Sequence, residues 1–358
     1  MKDSEVKMQK TLCLFTLLLF AFCLLPFSLA YAQNGKQGTA RPASTAEGQD
    51  IDEDDVISVS TTEVLLPVTV RDRSGQLVQH LTRQDFRVFE DGREQPLSDL
   101  ALRQVPVDVV LMIDASSSVA NNLEDFRRAV EGFAATLAPE DRISLIKFDD
   151  RIELLQDWTQ SRVQLRRALR RIAPGIFTRF NDALLLAARE QLKSARGRHA
   201  VIILTDGVDS GRGYSTLEDA LRALLEAQAT VYVVSNTEIE RARKQKELES
   251  LTSSTPAAVK FNELLIGDLR ESLRVLDLSE RNLAALTAAT GGRFYKPESF
   301  GALEATYKEV AEELRHQYAV YYTPLDKKRD GRFRRVRVET SNPAWQVSSR
   351  IGYFAPRR

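Results

Sequence analysis

The apolar positions divide the chain into a strand-rich start, a long middle where strand-like and helix-like runs alternate, and a strand-rich end. Residues 63–72 form a strand candidate that Pro67 assigns to an edge or a bulge. Leu77-Val78 resumes it after a Ser74-Gly75 turn, and residues 86–90 alternate apolar and polar up to an Asp91-Gly92 hairpin signal. In the middle, residues 107–113, 199–205 and 230–234 are short, almost wholly apolar runs. Such runs suit strands buried on both faces of a parallel sheet, where neither side meets water. Residues 123–137, 163–172, 182–192 and 217–227 carry apolar side chains at helical spacing, and 142–148 and 152–155 are further strands. Residues 238–280 lack a clear period and are expected to be an irregular insertion at the rim of the sheet. Its charged first part, 238–249, suits a solvated helix. A helix at 282–289 stopped by Gly291-Gly292, an edge strand at 293–295 and a last helix at 301–315 complete the middle. Residues 318–323, 334–339 and 346–351 are strands again, separated by turn signals at Asp330-Gly331 and Asn342-Pro343.

Alternation of strand and helix implies a doubly wound α/β layer with a mainly parallel sheet and right-handed crossovers. The flanking strand-rich segments, 58–104 and 317–358, each expose an apolar face too small to fold alone. The economical arrangement pairs them into one small β-sandwich, with the α/β domain of residues 105–316 inserted between them.

Length changes this picture at the N-terminus, since 358 residues exceed what two such domains need. Lys2, Lys7 and Lys10 precede an apolar run over 12–25, and Ala30-Tyr31-Ala32 gives a small-x-small cleavage pattern. Residues 1–32 are therefore expected to be a signal peptide. Export leads to the periplasm or the medium, with envelope association open and an uncleaved membrane anchor as the alternative. Both cysteines, Cys13 and Cys23, lie inside this segment, so the mature chain would carry no disulfide. Residues 33–57 are small, polar and acidic, and read as a disordered linker. A formal net charge of zero gives no reason to expect nucleic-acid binding. The basic C-terminal tail suits solvated, charge-protected strand edges better than an anion-binding surface.

Three loops carry the candidate chemistry. The first apolar run ends in Asp114-Ala115-Ser116-Ser117-Ser118, at the carboxyl edge of the expected sheet, where open α/β sheets bind their ligands. Phe177-Thr178-Arg179-Phe180-Asn181-Asp182-Ala183 opens a helix, and Thr205-Asp206-Gly207 ends the second buried run. Asp114, Ser116 and Ser118 offer hard oxygen atoms, the kind that Mg²⁺, Mn²⁺ or Ca²⁺ accepts. Taken alone, the first loop suits helix capping equally well. No Gly-x-Ser-x-Gly elbow, P-loop or Gly-x-Gly-x-x-Gly is present, so hydrolase-type acyl transfer and a nucleotide or other small-molecule cofactor lack their motifs. Ser116 stands where a haloacid-dehalogenase-type phosphotransferase needs its second carboxylate. His80, His199 and His316 are scattered, and Trp158 and Trp345 read as packing residues. No enzymatic reading is favoured.

The three loops together resemble the metal-ion-dependent adhesion site of von Willebrand factor A domains: D-x-S-x-S, a threonine before a D-A helix, and T-D-G. The resemblance covers roughly residues 107–315. The flanks, through Leu81-Thr82-Arg83-Gln84-Asp85-Phe86 and Arg350-Ile351-Gly352-Tyr353, resemble the VWFA-related acidobacterial-type domain family of exported bacterial proteins. The resemblance implies that Ser116 and Ser118 bind the metal directly, joined by Thr178 in the ligand-competent arrangement. Asp114 and Asp206 would hold the ion directly or through water, and Mg²⁺ is the expected cation, with Mn²⁺ or Ca²⁺ as alternatives. Hydroxyl donors leave a dication under-neutralised, so a carboxylate from outside completes its shell favourably. The expected partner is therefore a protein presenting Asp or Glu. Arg179, Asp209 and Ser210 would shape access to the site. The alternative function is a structural or assembly component of the envelope in which metal only stabilises the domain.

Overall fold

The computed structural model describes residues 63–102, 105–116, 122–211 and 213–357. The expected signal peptide, the linker and Ser118 lie outside the described residues.

The run expected to be doubly buried forms β5 (Val107–Asp114), and all of its residues are buried. It is the fourth strand in a six-stranded sheet of order β10-β9-β8-β5-β6-β7. Here β6 is Arg142–Phe148, β7 Ile152–Thr159, β8 Arg198–Thr205, β9 Ala229–Ser235 and β10 Phe294–Tyr295. All neighbours are parallel except β7, which runs antiparallel to β6 at one edge. Side chains alternate across the sheet. Val109, Leu111 and Ile113 join one apolar core with Phe126, Phe133, Tyr307 and Val310. Val110 and Met112 join the other with Phe180, Leu184, Leu224 and Leu286. Because helices cover both faces, β5 has no polar alternation to show. Its polar end, Asp114, falls at the carboxyl edge of the sheet.

Two four-stranded antiparallel sheets flank this layer in sequence. One has the order β13-β1-β11-β4 (Gln346–Ser348, Val64–Arg71, Tyr318–Tyr322 and Leu97–Leu102). The other has the order β14-β12-β2-β3 (Gly352–Phe354, Phe333–Thr340, Phe86–Glu90 and Arg93–Gln95). Leu66, Val68 and Tyr322 of the first sheet share a core with Val88, Val336 and Tyr353 of the second, so the two close as a sandwich. Strands from the two ends of the chain alternate in the first sheet, and in the second the C-terminal pair β14-β12 joins the N-terminal pair β2-β3 through β12 and β2. β1 is an interior strand and pairs with β11 through Pro67 without a register shift, where Pro67 suggested an edge or a bulge. β13 pairs with β1 only over Thr69–Arg71, so at Pro67 the ladder has a partner on one side alone.

Within residues 238–280 the expected charged helix is present, as Thr237–Thr252. The remainder differs from the expected irregular insertion: it is mostly helical too, as Pro256–Phe261 and a 28-residue helix, Glu263–Thr290. The helix expected at 282–289 is the end of that long helix. Thr255 caps the short middle helix by accepting from Ala258 N, and Pro256 sits at its first turn. Gly291 ends the long helix at φ +79°, and a Cβ there would lie 2.5 Å from the backbone of Ser349 and Arg350. The helix expected at 182–192 is also less uniform. It runs from Phe180 to Leu186, then widens into a π-helical turn over Ala187–Gln191. Among the described residues no helix is long and apolar enough to cross a membrane.

Candidate functional site

The three loops meet at the carboxyl edge of β5 and β8. Asp114 is fully buried at the end of β5. Its Oδ2 accepts from Thr205 Oγ1 (2.7 Å) and its Oδ1 from Ser116 N (3.0 Å). Thr205, the last residue of β8, in turn accepts from Gly207 N at 2.8 Å. One buried hydroxyl therefore fixes the first loop to the third. Sequence reasoning placed Thr205 in its motif but gave it no role in the site.

Asp206 follows immediately, half-buried, with Oδ1 accepting from Val208 N at 3.0 Å. Its carbonyl accepts from Ser279 Oγ on the long helix. Gly207 makes this contact possible. It sits at φ +68°, and a Cβ there would lie 2.7 Å from Leu283 Cδ1 and from Ser279 Oγ. Gly207→Ala is expected to cost about 1–3 kcal/mol, since it combines left-handed strain with overpacking. A urea unfolding curve measures this, and a loss under about 0.5 kcal/mol would mean that the loop accommodates the methyl.

Thr178 is 7% exposed. Its carbonyl accepts from Ser210 N (2.9 Å) and Ser210 Oγ (2.8 Å). The next residue, Arg179, donates its backbone N–H to Asp149 O and its guanidinium to Asp182. Asp182 also accepts from the backbone of Tyr214 (3.0 Å) and Ser215 (2.8 Å). Burial works to raise the Asp182 carboxyl, but the Ser215, Arg179 and Tyr214 hydrogen bonds outweigh it and hold the pKa low. Asp209 accepts from Asn181 N and Gly211 N. Asp209 and Ser210 therefore brace the second and third loops against each other, and Ser210 also borders the cleft described next. Arg179 ties the second loop to Asp149 and to the first turn of its own helix.

Ser116, Thr178 and Asp206 line one cleft of about 1010 Å³. Its far wall is the helical insertion, through Ile239, Glu240, Arg243, Lys244, Ser272 and Val275. No sequence signal tied residues 238–280 to the site. Beneath the cleft the carboxylates are electrostatically strained. Burial pushes Asp114 up to about 6, against the Thr205 and Ser116 hydrogen bonds. Burial also pushes Asp206 up to about 7, and the Asp114 charge adds to that shift. Among the described residues no three His, Cys, Asp or Glu side chains gather as a metal cluster, so the donors here are hydroxyls with two carboxylates. That oxygen-only set fits a hard dication such as Mg²⁺.

Residues 108–270 match the von Willebrand factor type A domain family. The fold is a von Willebrand factor type A fold, a mostly parallel sheet between helical layers, here accompanied by the two antiparallel sheets. Proximal thread matrix protein 1 from the mussel byssus is similar at 15% identity and a TM-score of 0.45, over 63% of this chain and 51% of that one. The vWF domain of the type V pili tip protein Mfa5 from Porphyromonas gingivalis is similar at 27% identity and a TM-score of 0.28, over 29% of this chain and 39% of that one. A von Willebrand factor type A protein from Catenulispora acidiphila is similar at 13% identity and a TM-score of 0.44, over 78% of this chain and 65% of that one. The chain thus spans about half of the mussel protein, and less of the pilus-tip domain. No curated protein matches the chain.

Proposed function

We propose that the von Willebrand factor type A domain of this chain binds a divalent cation, Mg²⁺ in the first instance, and through it an Asp or Glu side chain of a protein partner. Ser116, Ser118 and Thr178 would supply hydroxyl donors, and Asp114 and Asp206 carboxylates. When bound, the cation supplies a Lewis-acidic docking point for an outside carboxylate. The protein's own residues hold the hydroxyls in place, keep the carboxylates buried and brace the loops. This is a binding role without catalysis.

One observation carries the reading. Among the described residues, the other buried carboxylates each have a cationic partner: Asp108 with Arg142, Asp149 with Lys147, Asp182 with Arg179, Glu90 with Arg334, Glu240 with Arg243, and Glu313 with Arg71. Asp114, 0% exposed, has none, and Asp206 beside it forms no ion pair either. An unpaired buried carboxylate is costly, and a bound dication removes the cost.

The wider setting belongs to the same proposal. Residues 1–32 direct export to the periplasm or the medium, 33–57 tether the protein, and 58–104 with 317–358 form the sandwich that presents the von Willebrand domain, as in the acidobacterial-type family. A thermal melt with Mg²⁺, Mn²⁺, Ca²⁺ or EDTA tests the site. A ligand bound only by the folded state adds about 2.7 kcal/mol at a hundredfold excess over its dissociation constant. The rise is expected in the parent and absent in Asp114→Asn. An equal rise in both would move the metal elsewhere. A rise that needs Asp114, without any EDTA-sensitive binding of acidic protein, would favour the stabilising role alone.

A further inference from the structure

The insertion that closes the cleft is a helical hairpin with a defined charge pattern. Arg241 on the first helix, Thr237–Thr252, bonds Asp277 and Glu280 of the long helix, and Lys296 reaches Glu280 at 2.5 Å. These pairs fix the hairpin against the edge of the α/β layer. Along the wall facing the site, Glu240 is satisfied by Arg243 at 2.6 Å, and Glu271 by Arg274 at 3.0 Å. Lys244 and Asp268 also line the cleft, and among the described residues neither forms an ion pair. Lys244 is half-buried and close enough to Asp206 for its charge to act on that carboxylate.

A half-buried ammonium in the cleft that forms no ion pair is available to an outside anion. It is attracted toward Asp206 while that carboxylate is uncompensated. A dication held at Asp206 would cancel the attraction and leave Lys244 needing another anion. Exposed Ile176 (79%) and Val275 (37%) provide apolar surface along the same cleft. Asp268, on the opposite helix, would repel an acid placed near it, which gives any bound segment a direction.

We propose that the hairpin is the selectivity wall of the metal cleft and that Lys244 is its anion-reading residue. The ligand is a protein segment with two acidic side chains, one for the metal and one for Lys244. The inference rests on the metal-binding reading above.

The test pans random peptides displayed on phage against the immobilised full chain in Mg²⁺, with elution by EDTA. Peptides eluted from the parent are expected to carry two acidic residues at a recurrent spacing. Synthetic copies should bind Lys244→Gln roughly tenfold or more weakly, the size of one hydrogen bond to a charged group, and Lys244→Glu more weakly still. The Mg²⁺-dependent rise in melting temperature should persist in Lys244→Gln, which separates loss of the anion contact from loss of the metal. EDTA-eluted peptides with a single acid, or equal binding by the parent and Lys244→Glu, would overturn the role of Lys244 and leave the metal site standing. Failure of EDTA to release any enriched phage, or synthetic peptides that bind Asp206→Asn as well as the parent, would overturn both.

Discussion

Replacing Glu313 by alanine is expected to cost about 3–5 kcal/mol of unfolding free energy, the usual effect of removing one partner of a buried ion pair. Glu313 is 1% exposed on the last helix, Leu303–Arg315. Its carboxylate takes the Arg71 guanidinium from β1 and the Tyr295 hydroxyl (3.2 Å) from β10, with Arg293 at 4.0 Å. Burial and the Glu313 charge hold the Tyr295 and Tyr232 hydroxyls far above their ordinary pKa, so both stay protonated as donors. Three parts of the fold therefore meet on one side chain: the sandwich, the edge of the parallel sheet and the last helix. Alanine would leave Tyr295 without this acceptor and the arginine without its anion, holding only its bond to Gly75 O at 2.7 Å. Glu313→Gln keeps an acceptor and loses only the charge, so its cost should be smaller. Guanidinium unfolding of parent, Ala and Gln variants measures the series. Losses below about 1 kcal/mol in both would mean that solvent replaces the carboxylate and that this junction contributes little, since such a value is ordinary for a surface pair.

The sequence made some of these features plain and hid others for identifiable reasons. The parallel strands were visible because burial on both faces removes polar residues from a short run, as in β5 and β9, where every residue is buried. The three loops were visible because each is a local motif, and their convergence follows from strand order. Glu313 gave no signal, since its partner Arg71 lies 242 residues away. The long helix was missed for a different reason. Ile266, Leu269 and Leu276 are buried, but Leu264, Leu265, Val275 and Leu278 are exposed around them, so apolar residues on more than one face blurred the helical period. The helix that carries Lys244 is legible as a solvated helix, but without its partner, the long helix, nothing in the sequence turns it into a cleft wall. Arg179, Asp209 and Ser210 stood out as polar residues near the motifs. Their hydrogen bonds to neighbouring loops, a structural use, could not be told from ligand contact without coordinates.

In the absence of metal, stability is expected to fall as pH rises from about 4 to about 7, and the fall should trace to the Asp114–Asp206 pair. Unfolded aspartates lose their protons near 3.8, whereas burial holds these two carboxyls at about 6 and about 7. Between those values the folded state binds more protons than the unfolded one, so unfolding free energy declines with pH, by on the order of 1 kcal/mol per pH unit for each group. The contribution is complete below about 4 and lost once pH has passed the folded values. Carboxyls held low by hydrogen bonds, such as Asp182 and Asp219, act in the opposite sense and below the ordinary aspartate value of 3.8, outside this window. Asp206→Asn removes one titrating group and the charge that burdens Asp114, so its pH profile should be much flatter. Metal reverses the sign. A cation competes with these protons, so the stabilisation by Mg²⁺ should be small at about pH 5 and grow toward pH 7.5. Melts of both proteins across that range, with Mg²⁺ and with EDTA, give the four curves needed. Parallel profiles for parent and Asp206→Asn in EDTA would remove the carboxylate pair as the cause. A magnesium increment independent of pH would show that the ion binds where no proton has to leave, and that Asp114 and Asp206 are not its ligands.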